Sequence, residues 1–349
     1  MRGQRLRRSD CSGPGLRRVR RGRGFGYREE DGQSVQDPEV LERLRGLAVP
    51  PAWRDVWICA DPWGHLQATG IDAAGRKQYL YHPRWRERKD REKFERMVRF
   101  ARRLPRLRRR LATELQGTEP TRDRVLACAV RLLDVGLFRV GGEQYAEEDH
   151  GVGLATIRKD HVSFRGDAIV FDYPAKGGVR RVQSIEDPLS RELVRSLRRR
   201  RRGGSQLLAY REGRSWVPVR SDDINDFLGR EAGEGFTAKD FRTWNATVLA
   251  AASLAAGGRE AATPAARRRA INQAVRVVAT TLGNTPAVAR RAYIDPRVLD
   301  RYLSGWTIAG ALDGVKEIQP ADDRGRARLE RAVLDLLADE RSSPALVRE

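Results

Sequence analysis

The sequence predicts an α+β protein, with a small β-rich N-terminal domain and a larger, mostly α-helical domain that holds a short β-sheet. Three observations carry this. Between Phe25 and Arg84, short alternating apolar runs are separated by turn residues. After Pro83 the apolar residues recur at helical spacing. Residues 154–183 then break that pattern with a second set of short runs.

Residues 1–24 hold nine arginines among glycines with no apolar period, and the expectation is a disordered basic arm. The β-rich domain is expected over 25–84. VWICA (56–60), HLQATGID (65–72) and KQYLYH (77–82) read as antiparallel strands. Asp61-Pro62-Trp63-Gly64 and Ala74-Gly75 supply the turns between them. The helical domain is expected over 85–349. Its first stretch has apolar positions at Phe94, Met97, Val98 and Phe100, and Pro105 is expected to end one helix and start another. TRDRVLACAVRLLDVGLF (121–138) has the stripe of a core helix stopped by Gly136. LATIRKDHVSF and DAIVFDYPAKGGVRRVQ read as strands, with Lys176-Gly177-Gly178 at a hairpin tip. From Asp187 onward nearly everything reads as helix, apart from a loop at 255–268 around Thr263-Pro264. Arg198–Arg202 with Gly203-Gly204 reads as a solvated helix end. No internal repeat is visible.

The 349 residues carry a net charge of +21 and a pI near 10.8, which favours a polyanionic partner, nucleic acid ahead of an anionic membrane. Arginine outnumbers lysine 61 to 7. Its planar fork suits phosphate, although a GC-rich genome gives the same bias. Cys11, Cys59 and Cys128 are too few and too scattered for a disulfide framework or a CxxC metal site. His65, His82, His150 and His161 lack metal-ligand spacing. The longest apolar run, VLAAASLAA (248–256), is half a membrane span. The basic N-terminus has no apolar signal-peptide core. A soluble cytoplasmic protein without metal or small-molecule cofactor is expected.

Metal-free transfer of a phosphodiester to a side chain needs a nucleophile, cations for the non-bridging oxygens and an acid for the leaving oxygen. Candidates for each exist in separate segments. Tyr293 ends LGNTPAVARRAY, where Arg290 and Arg291 are expected to ease the approach of a phosphate. Arg139 precedes a glycine pair in GLFRVGGEQYAEE. Arg242 lies in AKDFRTWNA, where Phe241 and Trp244 can pack while the arginine points elsewhere. Lys176 sits in a Gly-flanked turn, and Asn284 can donate a neutral hydrogen bond. Each also has a plain reading. Tyr293 fits a partly buried helix residue, the arginines a solvated surface, Lys176 a hairpin-tip charge and Asn284 a helix N-cap before Thr285-Pro286.

Together these segments resemble a family. RVGGEQYAEEDHGVGLATIRKDHV (139–162), KGG (176–178), KDFRTWNAT (239–247) and LGNTPAVARRAYIDP (282–296) are similar to the motif series of bacterial, poxvirus-like type IB DNA topoisomerases. GRKQYLYHPRWRERKDREKFERM (75–97) resembles that family's junction between its β domain and its catalytic domain. The likeness runs in order from about Phe25 to Tyr302. It implies two domains closing around duplex DNA as a clamp, acting as a monomer near the nucleoid. It implies that Tyr293 forms a 3′-phosphotyrosyl bond, that Arg139 and Arg242 bind the non-bridging oxygens, and that Lys176, helped by Arg139, protonates the 5′ leaving group. The cut strand then swivels and is religated without ATP or metal. Asn284 stands where many members have histidine, and its amide keeps the hydrogen bond without titrating. Gln78, Tyr79, Tyr81 and Tyr145 match DNA-facing positions, although Tyr79 and Tyr81 share a strand face that also suits a core.

Two rival readings remain at this stage. A tyrosine recombinase uses the same chemistry but needs paired protomers and a specific site. A non-catalytic basic DNA-binding protein would be indifferent to Tyr293. GRGFG (22–26) lacks the strand before it and the GK[ST] after it that a phosphate loop needs. No paired carboxylates of a metal nuclease stand beside the candidate residues.

Overall fold

The computed structural model describes residues 5–142, 151–257, 263–312 and 323–348. The chain divides into two compact units, residues 1–95 and 96–349.

The first unit is built on an antiparallel sheet of β1 (Leu16–Arg21), β2 (Gly24–Arg28), β3 (Arg54–Ile58), β4 (Leu66–Ile71) and β5 (Lys77–Tyr81), in the order β2-β1-β3-β4-β5. Helix α1 (Pro38–Gly46) starts at Asp37, whose carboxylate accepts from the N–H groups of Glu39 and Val40. Alternation gives the sheet two different faces. Val56, Ile58, Ala68 and Leu16 pack with Leu44 of α1 on one, with Leu80 against them. Trp57, Cys59 and Leu66 cluster separately, with Tyr81 beside them.

The N-terminal segment departs from the disordered arm expected of residues 1–24. Leu16–Arg21 is an interior strand, paired with β2 through Arg18↔Tyr27 and with β3 through Leu16↔Ile58. Gly22, at φ 55°, turns the hairpin. Arg18 is spent on structure, donating to the carbonyls of Val49 (2.8 Å), Pro50 (3.0 Å) and Trp53 (2.7 Å).

Helix α2 (Pro83–Leu115) runs unbroken through Pro105, where two helices were expected. Proline removes one backbone donor at a cost of roughly 3 kcal/mol in a helix interior. Here Pro105 lies on the exposed face, while Met97, Phe100, Ala101, Leu104, Leu107 and Leu111 form one continuous buried stripe. Each such side chain contributes about 1.5–3 kcal/mol when buried, so the stripe outweighs the proline.

In the second unit, α3 (Arg122–Gly136) is buried along almost its whole length. A sheet of β6 (Val162–Arg165), β7 (Ala168–Pro174) and β8 (Arg180–Ile185) follows, in the order β6-β7-β8. Helix α4 (Pro188–Arg199) ends in the arginine run, but Arg200 is half-buried and donates to the carbonyls of Leu197 (2.9 Å) and Leu207 (2.6 Å). A hairpin of β9 (Ala209–Glu212) and β10 (Ser215–Pro218) interrupts the expected all-helical stretch. Then come α5 (Ser221–Ala232), α6 (Ala238–Gly257), α7 (Pro264–Leu282), α8 (Pro286–Ala292), α9 (Pro296–Leu303) and α10 (Ala309–Leu312). Strand β11 (Trp306–Thr307) pairs with β12 (Val347–Arg348), and α11 (Asp323–Ala338) lies between them in sequence.

Candidate active site

Four chain segments meet where α7 ends. Helix α7 stops at Gly283, which takes a left-handed φ of 61°. The Asn284 N–H bonds back to the Ala279 carbonyl at 2.9 Å. Thr285, not Asn284, then caps α8, accepting from Val288 N–H. The Asn284 side chain is thereby released from capping.

Arg139 reaches this point from the end of α3. Leu137 turns the chain at φ 55°, and Phe138 is buried edge-on to Phe171 at 4.9 Å. The backbone of Arg139 and Val140 accepts from the N–H groups of Leu154 and Ala155, each at 2.8 Å. Gly141 and Gly153 cross so closely that a Cβ on Gly153 would sit 2.4 Å from the Gly141 backbone. The guanidinium donates from Nη2 to the Gly283 carbonyl (2.9 Å) and to Asn284 Oδ1 (2.6 Å). Because Oδ1 accepts from Arg139, the Asn284 amide points its Nδ2 donor away. That Nδ2 is buried and has no partner among the described residues.

Arg242, on α6, is 3% exposed, and while Phe241 and Trp244 are buried in the core its guanidinium reaches away to the end of α7. Its Nη2 donates to the Leu282 carbonyl at 2.9 Å and its Nη1 to the Leu137 carbonyl. Burial pulls its guanidinium down to about 10, against the pull of the Tyr293 phenol, with which it also shares a hydrogen bond. Arg242 Cζ stands 5.4 Å from the Tyr293 ring centroid.

Tyr293 ends α8, its N–H bonded to the Ala289 carbonyl at 3.1 Å. The Thr247 hydroxyl, on α6, lies 3.2 Å from the Tyr293 carbonyl and accepts from Asp295 N–H at 3.2 Å, which fixes the turn around the tyrosine. Burial alone would push the phenol up. Arg242, Lys239 and Arg139 together outweigh it, so the phenol ionises below its ordinary value. Arg290 and Arg291 are not the residues responsible. Both are exposed on α8, and Arg290 lines a separate groove with Arg267 and Arg268.

Lys176 lies at the tip of the β7–β8 hairpin, closed by Ala175 N–H to Val179 O at 2.8 Å, with Gly177 and Gly178 at positive φ. The hairpin base is held by Val152 N–H to Pro174 O at 2.8 Å. The exposed amine makes no hydrogen bond or ion pair among the described residues. Lys176, Arg139, Arg181, Asn284 and Thr285 line one open groove of about 700 Å³. Arg242 and Tyr293 adjoin it through Arg139, whose charge acts on both.

Two further residues act here without having been singled out from sequence. Lys239 stands one turn before Arg242 on α6, exposed, and lowers the Tyr293 phenol. Arg181 lies in the groove wall. The i, i+3 spacing of Lys239 and Arg242 was the signal for the first; for the second, strand alternation with the inward-facing Gln183 and Ile185 was the only hint.

On the first unit, Tyr79 is 45% exposed and stacks on Tyr81 at 6.2 Å, while Leu80 on the opposite face enters the core. The tyrosine face is therefore not a plain core face. Gln78 donates from Nε2 to Asp72 Oδ2 at 2.8 Å. Tyr145 lies outside the described residues. Among the described residues there is no group of metal-ligating side chains, and no helix is long and apolar enough to cross a membrane.

The Arg242–Tyr293 pair gives a direct pH test. Replacing Arg242 with glutamine removes the largest lowering charge and leaves the burial, so the phenol rises, with Lys239 and Arg139 still opposing the burial. The pH at which Tyr293 ionises, followed by tyrosinate absorbance, is expected to move upward in Arg242→Gln. A downward shift would show that another group lowers the phenol.

The arrangement suits attack on an anion. A phenol with lowered pKa lies beside the buried Arg242 and the half-buried Arg139, neither with a carboxylate partner among the described residues. Near them are an amide donor and an amine that have no partner among those residues either. The comparisons agree with this chemistry. The family model for the catalytic core of eukaryotic DNA topoisomerase I matches residues 82–304, and that for the N-terminal domain of bacterial DNA topoisomerase IB matches residues 24–72. The chain is 28% identical to the DNA topoisomerase 1B of Acanthamoeba polyphaga mimivirus, over 82% of its own length and 87% of that protein. It is 21% identical to the DNA topoisomerase I of monkeypox virus, over 76% and 82% of the two chains. With the DNA topoisomerase 1 of Candida albicans it shares 28% identity over 39% of its own length and 17% of that protein. A core match covering more than half of the chain, beside a matched bacterial N-terminal domain, places the protein in the family of type IB DNA topoisomerases.

Proposed function

We propose that the protein relaxes supercoiled duplex DNA by cutting and resealing one strand through Tyr293, as a monomer without ATP or metal. The observation that carries this reading is the convergence of Arg139, Arg242 and Asn284 on the end of α7, beside a tyrosine whose phenol the two arginines help to ionise.

In the forward step the Tyr293 oxygen bonds to the scissile phosphorus and the P–O5′ bond breaks. The phenol gives up its proton to solvent, and the Lys176 ammonium gives one to the departing 5′ oxygen, so no net proton is consumed. One phosphodiester replaces another, and religation is the same step reversed. Arg139 and Arg242 hold the non-bridging oxygens, and the charge that builds on them is met by donors already fixed in place. Asn284 adds its Nδ2 donor. Of its two amide functions only the acceptor is used among the described residues, which leaves the donor for the phosphate. Lys176, on a hairpin tip, closes over the strand from the groove side. The intact strand then permits rotation before resealing.

On the first unit, Tyr79 and Tyr81 lie along sugar and phosphate, and Gln78 reaches a base edge once DNA replaces Asp72 as its partner. Tyr145 adds a further contact to the duplex. DNA in the cytoplasmic nucleoid is the substrate.

A duplex oligonucleotide labelled on either side of the cut tests the polarity of the bond. Denaturant quenching is expected to leave the label 5′ of the cut on protein and to free a 5′-hydroxyl strand. Attachment to the downstream fragment, or no covalent complex at all, would overturn the mechanism.

A further inference from the structure

One more cation sits at the same helix end. Arg181, on β8, donates from Nη2 to the Thr281 carbonyl at 2.7 Å. Arg242 donates to the Leu282 carbonyl and Arg139 to the Gly283 carbonyl, each at 2.9 Å. Three guanidiniums from three separate elements therefore cap three consecutive carbonyls. A helix C-terminus leaves its last carbonyls without intrahelical partners and carries partial negative charge, which explains how the cations are held.

It does not explain why three are gathered. Burial disfavours the charge on both Arg181 and Arg242, and Arg139 adds repulsion to each. Among the described residues none of the three has a carboxylate partner. Arg180, next to Arg181 but facing outward, pairs with Asp172 at 2.6 Å. The remaining ties of Arg181 are neutral: Nε donates to Gln183 Oε1 at 2.7 Å, and the Tyr173 hydroxyl shares a hydrogen bond. Gly283 lets the guanidinium lie against the backbone, because a Cβ there would stand 2.7 Å from Arg181 Nη1. A half-buried cation such as Arg181, with only neutral partners among the described residues, is compensated when an anion arrives.

We propose that Arg181 binds a second phosphodiester of the cleaved strand, adjacent to the scissile one, and so fixes the strand in the groove while Tyr293 attacks. The inference rests on the reading of the site given above. Arg181 shares the groove with Lys176 and Asn284, but the charges that act most on the phenol are those of Arg242, Lys239 and Arg139. The anchor of Arg181 at the Thr281 carbonyl, one residue from that of Arg242 and two from that of Arg139, sets it beside the arginines of the scissile phosphate, where the neighbouring phosphodiester would run.

The test is single-turnover cleavage of a duplex carrying one neutral methylphosphonate at a time beside the cut, with native protein and Arg181→Gln. A hydrogen bond to a charged group contributes about 1.5–3 kcal/mol, so native cleavage is expected to slow roughly 10- to 150-fold at one flanking position. Arg181→Gln is expected to slow cleavage of unmodified DNA similarly and to be no slower on that modified duplex. Arg181→Lys, which keeps the charge, is expected to recover part of the rate and shows that the fold is intact. The slope of log binding constant against log salt is expected to fall by about 0.9 in Arg181→Gln. Effects that multiply at every position, with an unchanged salt slope, would make Arg181 merely structural and overturn the proposal. If the native chain binds but never cleaves, the assignment of Tyr293 falls, while the salt slope still decides Arg181.

Discussion

Tyr293→Phe is expected to abolish relaxation of supercoiled plasmid while leaving duplex binding within about twofold of native. The phenyl ring occupies the same half-buried space, and the turn around it is held without the phenol, by the Ala289 carbonyl and by the Thr247 hydroxyl between the Tyr293 carbonyl and the Asp295 N–H. Only the attacking oxygen is lost. Removing a nucleophile typically lowers turnover on the order of 10⁴- to 10⁶-fold, because the remaining donors still bind the substrate but have no bond to form. The assay is run in EDTA without ATP, and the covalent complex is sought in parallel. Relaxation by the Phe variant at even a hundredth of the native rate would remove Tyr293 from the reaction. Equal loss of binding would point instead to a folding defect.

The parts of the site that were legible in the sequence were those with a local cause. A lysine in a Gly-flanked turn and a Thr-Pro pair each mark a backbone feature, and the hairpin tip at 176–178 and the helix opened by Pro286 form where the sequence put them. What escaped depends on partners distant in sequence. Thr285 rather than Asn284 caps α8, because the Asn284 Oδ1 that would cap it accepts from Arg139 instead. Arg290 and Arg291 look important beside Tyr293 in the chain, yet helical geometry turns them to solvent, and Arg242, about fifty residues earlier, takes the phenol. In so arginine-rich a chain, no composition argument separates Arg181 from Arg180, one facing the groove wall and the other a surface aspartate.

The fold shows the same division. Arginine density hid β1, whose two apolar residues, Leu16 and Val19, fall on opposite faces, a strand stabilised by β2 and β3 rather than by its own composition. The run AYREGRSWVP carries a hairpin signal at Gly213, φ 57°, that the surrounding helical pattern obscured. Pro105 read as a helix break because proline's penalty is local, whereas the buried stripe that overrides it spans several turns.

The largest effect on stability is expected at Asp134, near the end of α3. Its carboxylate is fully buried and accepts from Arg108 of α2 (2.8 and 3.1 Å) and from Arg326 of α11 (2.5 Å). Glu330 of α11 accepts from Arg108 at 2.6 and 2.7 Å and from Trp244 Nε1 at 3.1 Å. Asn245 donates to the Asp134 carbonyl at 3.2 Å and accepts from Arg326 at 2.9 Å. This network fastens α3 to α6, the two helices that deliver Arg139 and Arg242. Asp134→Asn keeps the volume but leaves Arg108 and Arg326 buried with less negative charge than they need. Breaking a buried pair in this way costs about 3–5 kcal/mol, which lowers Tm by roughly 6–20 °C in a unit of this size. The pH dependence has a definite sign. Burial alone would raise the Asp134 carboxyl, but Arg326 and Arg108 hold it well below the usual carboxylate range. Its contribution is therefore fully present above the unfolded value of about 3.9 and is lost as pH falls toward the folded one. Thermal melts of native protein and Asp134→Asn are expected to lie far apart at neutral pH and to converge as the medium is made strongly acid. Cleavage by the variant is expected to fall even below its melting transition, since Arg242 bonds to the Leu137 carbonyl only three residues from the lost charge. Melts that coincide at neutral pH would mean that the four helices are held by apolar packing alone, and that the ionic network contributes nothing to placing the arginines.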